Sequence, residues 1–211
     1  MHYTKKDIAE MDRIQRIKYI NSVSGIKPAN LIGTISEEGE TNLAIFSSVF
    51  HLGSDPALLG FITRPTDEIP RHTYENLMQN RQYTINHVPS SLVANAHYTS
   101  AKLERDQSEF ESCGFTPQFL PDFKAPFVQE SVLKLGMSFR QTIPIELNGT
   151  ILVIGEIEHL ILPNAAIDTE NDINLAHING VGISGLNTYY GLSKIGRFPY
   201  ARPDEIPDFK K

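Results

Sequence analysis

Ser47 and Ser48 interrupt an apolar run, Asn42-Leu43-Ala44-Ile45-Phe46-Ser47-Ser48-Val49-Phe50. A hydroxyl carried into a strand must find a partner, because an unpaired buried polar group is costly. Backbone bonds at a bulge would satisfy the pair, and so would a polar ligand lying along the strand. Downstream, Arg64 ends the apolar stretch 57–63, and Arg71-His72-Thr73 opens a segment with helical spacing. A helix N-terminus offers free N–H groups and the positive end of the dipole, so it favours an anion. A forked guanidinium nearby suits a phosphate. Asp67 and Glu68 argue the other way, since either could cap the helix without an external anion. Together these residues could hold a phosphate-bearing ligand at one end and a polar, flat body along the serine strand.

The elements that must position them follow from periodicity. Residues 30–36 and 41–52 read as a hairpin, with Glu37-Glu38-Gly39-Glu40 as its acidic, solvent-facing tip. Residues 57–63 give a third strand. Gly60 at its centre permits close approach of another backbone or a flat ligand. Residues 69–80 read as a helix, with Pro70 in its first turn and Tyr74, Leu77 and Met78 as its buried stripe. A strand over 82–88, a short helix toward His97 and a helical piece over 108–114 follow. Residues 116–127, rich in Pro and Phe, read as an irregular loop. Residues 131–141, 143–148 and 150–161 read as two or three antiparallel strands, with Asn148-Gly149 the strongest hairpin signal. Residues 4–20 carry a capping box at Thr4/Asp7 and an apolar stripe at Ile8, Met11, Ile14 and Ile17, giving one amphipathic helix. Tyr189, Tyr190, Phe198 and Tyr200 are expected to pack rather than to form a lid, and the tail over 200–211 is expected to be loose.

The chain has 211 residues and a formal net charge of -6. That fits a single domain, and the acidic balance disfavours nucleic acid or an anionic membrane surface as the main partner. The single cysteine, Cys113, allows no internal disulfide and suits a reducing compartment. No segment reads as a secretory signal or a bilayer span, so a soluble cytoplasmic protein is expected. The histidines lack metal-ligand spacing, and no catalytic triad, carboxylate pair, Walker loop or Rossmann fingerprint is present. Runs of strands without a βαβ rhythm predict a mainly β protein with helical insertions, closed as an antiparallel barrel.

The order of these pieces resembles the flavin reductase-like family of FMN-binding split-barrel proteins. The resemblance is carried by NLIGTISEEGETNLAIFSSVFHLGSDPALLGFITRP, then RHTYENL, QYTINHVPSSL and SAKLERDQSEFESCGFTP, covering about 27–117. Arg71-His72-Thr73 stands where the family shows Lys-Asp-Thr, and Asn76 keeps its place. The resemblance implies a six-stranded antiparallel split barrel and a homodimer with FMN between subunits. It implies that Phe46, Ser47, Ser48 and Val49 run along the isoalloxazine and ribityl chain, partly through backbone groups. It implies that Arg64, Arg71, His72 and Thr73 gather near the phosphate. The activity implied is NAD(P)H-dependent flavin reduction with a separate electron acceptor. The alternative is an FMN-binding electron carrier without its own nicotinamide site.

Overall fold

A computed structural model describes residues 1–66 and 70–209. In chain order the strands are β1 (Lys27–Pro28), β2 (Asn30–Ile35), β3 (Thr41–Phe46), β4 (Phe50–Ser54), β5 (Ala57–Thr63), β6 (Gln82–His87), β7 (Pro117–Leu120), β8 (Phe123–Val128), β9 (Lys134–Ile145), β10 (Thr150–Ile161), β11 (Val181–Ser184) and β12 (Thr188–Gly191). The helices are α1 (Lys5–Glu10), α2 (Arg13–Ser22), α3 (His72–Asn80), α4 (Val93–Tyr98) and α5 (Glu109–Ser112).

Seven of these strands form one antiparallel sheet in the order β3-β2-β6-β9-β10-β5-β4. Its two edge strands, β3 and β4, are consecutive in the chain and joined only by Ser47, Ser48 and Val49. Three residues span no more than roughly 10 Å, so the edges must meet and the sheet closes on itself. The expected 41–52 strand is therefore one bent stave with a break at the serines. Counted that way, the barrel has the six staves expected of a split barrel.

Alternation along each stave decides what fills the barrel. Ile32, Phe61, Tyr83, Ile85, Met137 and Val153 point inward and are almost wholly buried. Leu31 and Leu43 alternate to the other face, where Ala96, Phe110, Phe115 and Ile183 cover them in a second core. Residues 116–127 contain the β7–β8 hairpin rather than an irregular loop. Phe123, Ala125 and Phe127 alternate inward as a third small core, a period-2 signal that the surrounding prolines obscured. Residues 131–148 hold the single strand β9.

The N-terminal segment forms two helices instead of one. The Thr4/Asp7 capping box is present, but the chain breaks at Met11 and Asp12, and the Asp12 carboxylate accepts from Ile14 N at 2.9 Å and Gln15 N at 3.1 Å. Neither helix buries a residue, so the expected apolar stripe has no core to face. Phe198 and Tyr200 are almost fully exposed instead of packed.

Candidate functional site

Ser48 closes the barrel. Its hydroxyl donates to the Ile62 carbonyl and accepts from the Ile62 amide, each at 3.1 Å. A side chain thus replaces the ladder bonds that β5 would otherwise make to an unbroken neighbour. Ser48 is therefore satisfied by backbone, whereas the Ser47 hydroxyl bonds no described residue. Phe46 turns into the core, edge-on to Phe61 with ring centroids 5.1 Å apart, and Val49 is buried in the same cluster. Of this segment, the Ser47 side chain and the peptide groups remain available to a ligand. Gly60 offers no such opening. A Cβ there would meet Leu152 Cδ1 at 3.0 Å, Leu52 Cδ1 at 3.1 Å and Phe50 Cζ at 3.2 Å, so apolar side chains, not another backbone or a flat ligand, fill that space.

The Ser48–Ile62 clasp puts the break two residues from Arg64. Arg64 is exposed at the end of β5, and Arg71 Nε donates to the Pro65 carbonyl at 3.3 Å. The two guanidiniums are close enough to repel. Burial lowers the Arg71 pKa first and the Arg64 charge lowers it further. Neither makes a salt bridge to a described carboxylate. Arg71 occupies the N-cap of α3 without a side-chain cap bond, so no described side chain caps the N–H groups of the first helical residues, while the Arg71 N–H itself donates to Glu75 Oε1 at 3.2 Å. Asp67, Glu68 and Ile69, the alternative caps and the expected helix start, lie outside the described residues.

Thr73 is buried and its Oγ1 accepts from Asn42 Nδ2 at 3.0 Å. The Thr73 proton has no acceptor among the described residues. Asn42 also donates to Thr34 Oγ1 at 3.3 Å, as does Asn76 Nδ2 at 3.3 Å. Thr73, Asn76 and Leu77 are thus the buried face of α3. Met78, expected in the stripe, is 39% exposed, because helix and hairpin meet through amides and hydroxyls. Asn42 and Asn76 carried a readable signal, since buried amides amid apolar residues demand partners; Arg105 and Glu109, described next, lie in a stretch that carried the resemblance but offered no local spacing signal.

His72 faces a different neighbour. Glu109 is buried beside β3, and its carboxylate accepts from Leu43 N at 3.0 Å. Burial raises the Glu109 pKa, while that hydrogen bond and the nearby His72 oppose the rise. Arg105 reaches over from the loop before α5 to pair with Glu75 at 2.6 Å. Cys113 is half-buried, and burial together with the Glu109 charge pushes its thiol up, which disfavours the thiolate.

The break at Ser47–Val49, the end of β5 and the start of α3 therefore meet at one corner. What this corner can do chemically is grip a dianion beside an open polar strand. Residues 26–181 match the family model described as "Flavin reductase like domain". A crystal structure from Shewanella frigidimarina NCIMB 400, provisionally assigned as a flavin reductase with split barrel domain, superposes with a TM-score of 0.91 at 49% identity, covering 95% of this chain and 100% of that one. Nitrilotriacetate monooxygenase component B from Bacillus cereus shares the fold at TM-score 0.82 and 17% identity, over 94% of this chain and 98% of that one. Flavoredoxin of Desulfovibrio vulgaris (Miyazaki F) does so at 0.72 and 18%, over 83% and 92%.

Proposed function

Since the chain belongs to the flavin reductase-like family, we propose that it is an FMN-binding oxidoreductase that takes hydride from NADH or NADPH and passes electrons to a second acceptor. The observation that carries this is the meeting of Arg64, Arg71 and the uncapped start of α3 beside the Ser47–Val49 break. Two guanidiniums without a described carboxylate, helix N–H groups without a described side-chain cap and a threonine proton without a described acceptor make a donor-rich set. Such a set suits a phosphate dianion and offers little to a neutral ligand.

In this reading Arg64, Arg71 and Thr73 hold the phosphate, with His72 at its edge. Ser47 and the peptide groups through Val49 line the ring and ribityl chain. When bound, the flavin supplies the hydride-accepting centre. The protein binds and orients it. The family's flavin could also serve an electron carrier with no nicotinamide site, and the experiment below separates the two.

The working unit is read as a dimer in the cytoplasm. Supporting the dimer, Phe50 and Leu52 on the edge strand β4 are each 41% exposed, beside the break where the ring would lie. Light scattering on the purified protein should give twice the chain mass.

The decisive experiment is spectroscopic. Purified protein is expected to be yellow, or to become so with added FMN, and NADH or NADPH should bleach the flavin band anaerobically at catalytic rates. Bleaching by dithionite but by neither nicotinamide would favour the carrier. Protein that never takes up FMN would overturn the proposal. Arg64→Ala should weaken FMN binding roughly tenfold or more while sparing riboflavin, because a charge-assisted contact is worth about 1.5–3 kcal/mol.

A further inference from the structure

We infer that Arg105, a residue outside the phosphate corner, is a positioning residue for it. Its guanidinium forks onto two neighbouring residues of α3. Nη1 donates to Glu75 Oε2 at 2.6 Å, and Nη2 donates to Asn76 Oδ1 at 3.3 Å. Each branch continues to a phosphate ligand of the proposed site.

Along the first branch, the other Glu75 oxygen, Oε1, accepts from Arg71 N at 3.2 Å. Arg71 has no side-chain cap of its own, so Glu75 is the side chain that fixes the backbone where the helix begins. Arg105 fixes Glu75 in turn. Along the second branch, the Asn76 amide donates to Thr34 Oγ1, which also accepts from Asn42, and Asn42 donates to Thr73 Oγ1. With its oxygen accepting from Asn42, the Thr73 hydroxyl keeps its proton free to donate to a ligand. One guanidinium therefore sets both the Arg71 backbone and the Thr73 hydroxyl. A lysine could reach Glu75 but could not fork onto Asn76 as well.

The Arg105–Glu75 pair is a partly exposed one, with side chains 43% and 38% exposed. Such pairs contribute little to global stability. The effect of Arg105 should therefore appear in how the corner treats a phosphate, not in how well the chain folds. This inference rests on the phosphate assignment above.

The test uses the full chain with FMN and riboflavin as paired probes and Arg64→Ala as the reference. Arg105→Ala should weaken FMN three- to fivefold, a rough figure for loss of an indirect ion pair. Riboflavin affinity should stay within about twofold and the Tm within about 2 °C. Arg105→Lys should recover part of the loss. Glu75→Ala removes the first branch alone and should lose less than Arg105→Ala, and the double variant should be little worse than Arg105→Ala, because Glu75 acts through the same branch. If Arg64→Ala lowers the FMN-to-riboflavin preference and Arg105→Ala does not, the inference falls and the phosphate assignment stands. If Arg105→Ala weakens both flavins equally and lowers the Tm, its role is structural support alone and the inference is overturned. If Arg64→Ala leaves the preference untouched, the phosphate assignment falls and takes this inference with it.

Discussion

Ser48 and Ile62 share two hydrogen bonds through one hydroxyl, which donates to the Ile62 carbonyl and accepts from its amide at 3.1 Å each. The neighbouring Ser47 has no such engagement. The adjacent serines should therefore separate in experiment. Ser48→Ala leaves both Ile62 backbone groups without their partner and should cost about 1–3 kcal/mol in urea unfolding. Ser47→Ala should unfold like the parent yet bind FMN less tightly. Equal stability losses for the two would contradict this division.

Gly33 should not tolerate a methyl group. Its Cβ would fall within hard contact of the Pro126 carbonyl oxygen and 2.6 Å from Thr84 Oγ1. The Thr84 hydroxyl donates to that same carbonyl at 2.6 Å, so the backbone of β8 would have to move and the bond would break. Gly33→Ala is expected to cost about 2 kcal/mol or more. Gly53→Ala is the control: its Cβ would meet only Pro56 O, at 3.6 Å, and its Tm should stay near the parent value.

Partly buried His87 predicts an acid-side loss of stability. Burial lowers its pKa from 6.5 to about 4. The folded state keeps the imidazole neutral while the unfolded chain takes up a proton below about 6.5. Its contribution is thus complete above that pH and is lost as the pH falls toward about 4, with a span on the order of 3 kcal/mol. Urea midpoints measured from pH 7 to 4.5 should fall in the parent and fall less steeply in His87→Gln. Parallel curves would refute the assignment.

Glu109 predicts the opposite slope. Its folded pKa is raised, chiefly by burial, so the folded state holds a proton more tightly than the unfolded chain does. Its stabilising contribution is present below the ordinary carboxylate range and is lost as pH rises through the folded pKa. Glu109→Gln keeps an acceptor for Leu43 N and removes the charge. The Tm advantage of the variant over the parent should therefore grow between pH 4 and 7. An advantage that is constant across that range would show that ionisation is not the cause.

Much of the barrel was legible because period-2 alternation, the acidic tip and Asn148-Gly149 are local signals. The break at Ser47–Val49 was half legible: the serines flagged it, but only the closure of β3 onto β4 shows why a side chain must take over from the backbone there. α3 starts at His72, so Pro70 and Arg71 precede the helix instead of forming its first turn; of the expected stripe, Leu77 and Tyr74 pack on the barrel core and Met78 does not. The contact of the helix with the hairpin is made by Thr73 and Asn76, and an apolar template seeks Leu and Met. Arg105 lies 30 positions from Glu75, and no spacing rule joins residues so far apart. The terminal segments misled for a related reason, since apolar residues mark a face without naming what covers it.

One amide and one hydroxyl rivet the β7–β8 hairpin to the barrel: Thr84 Oγ1 donates to Pro126 O and Asn86 Oδ1 accepts from Val128 N, while Asn86 Nδ2 ties β6 to β2 through Leu31 O. That wall is consequently double, and its amide protons should be the slowest in the molecule to exchange with deuterated solvent. The seam at the Ser47–Val49 break, where one hydroxyl stands in for ladder bonds, should open first. Breathing would then be lopsided, confined to the side from which a ligand would enter, while the riveted wall keeps its shape.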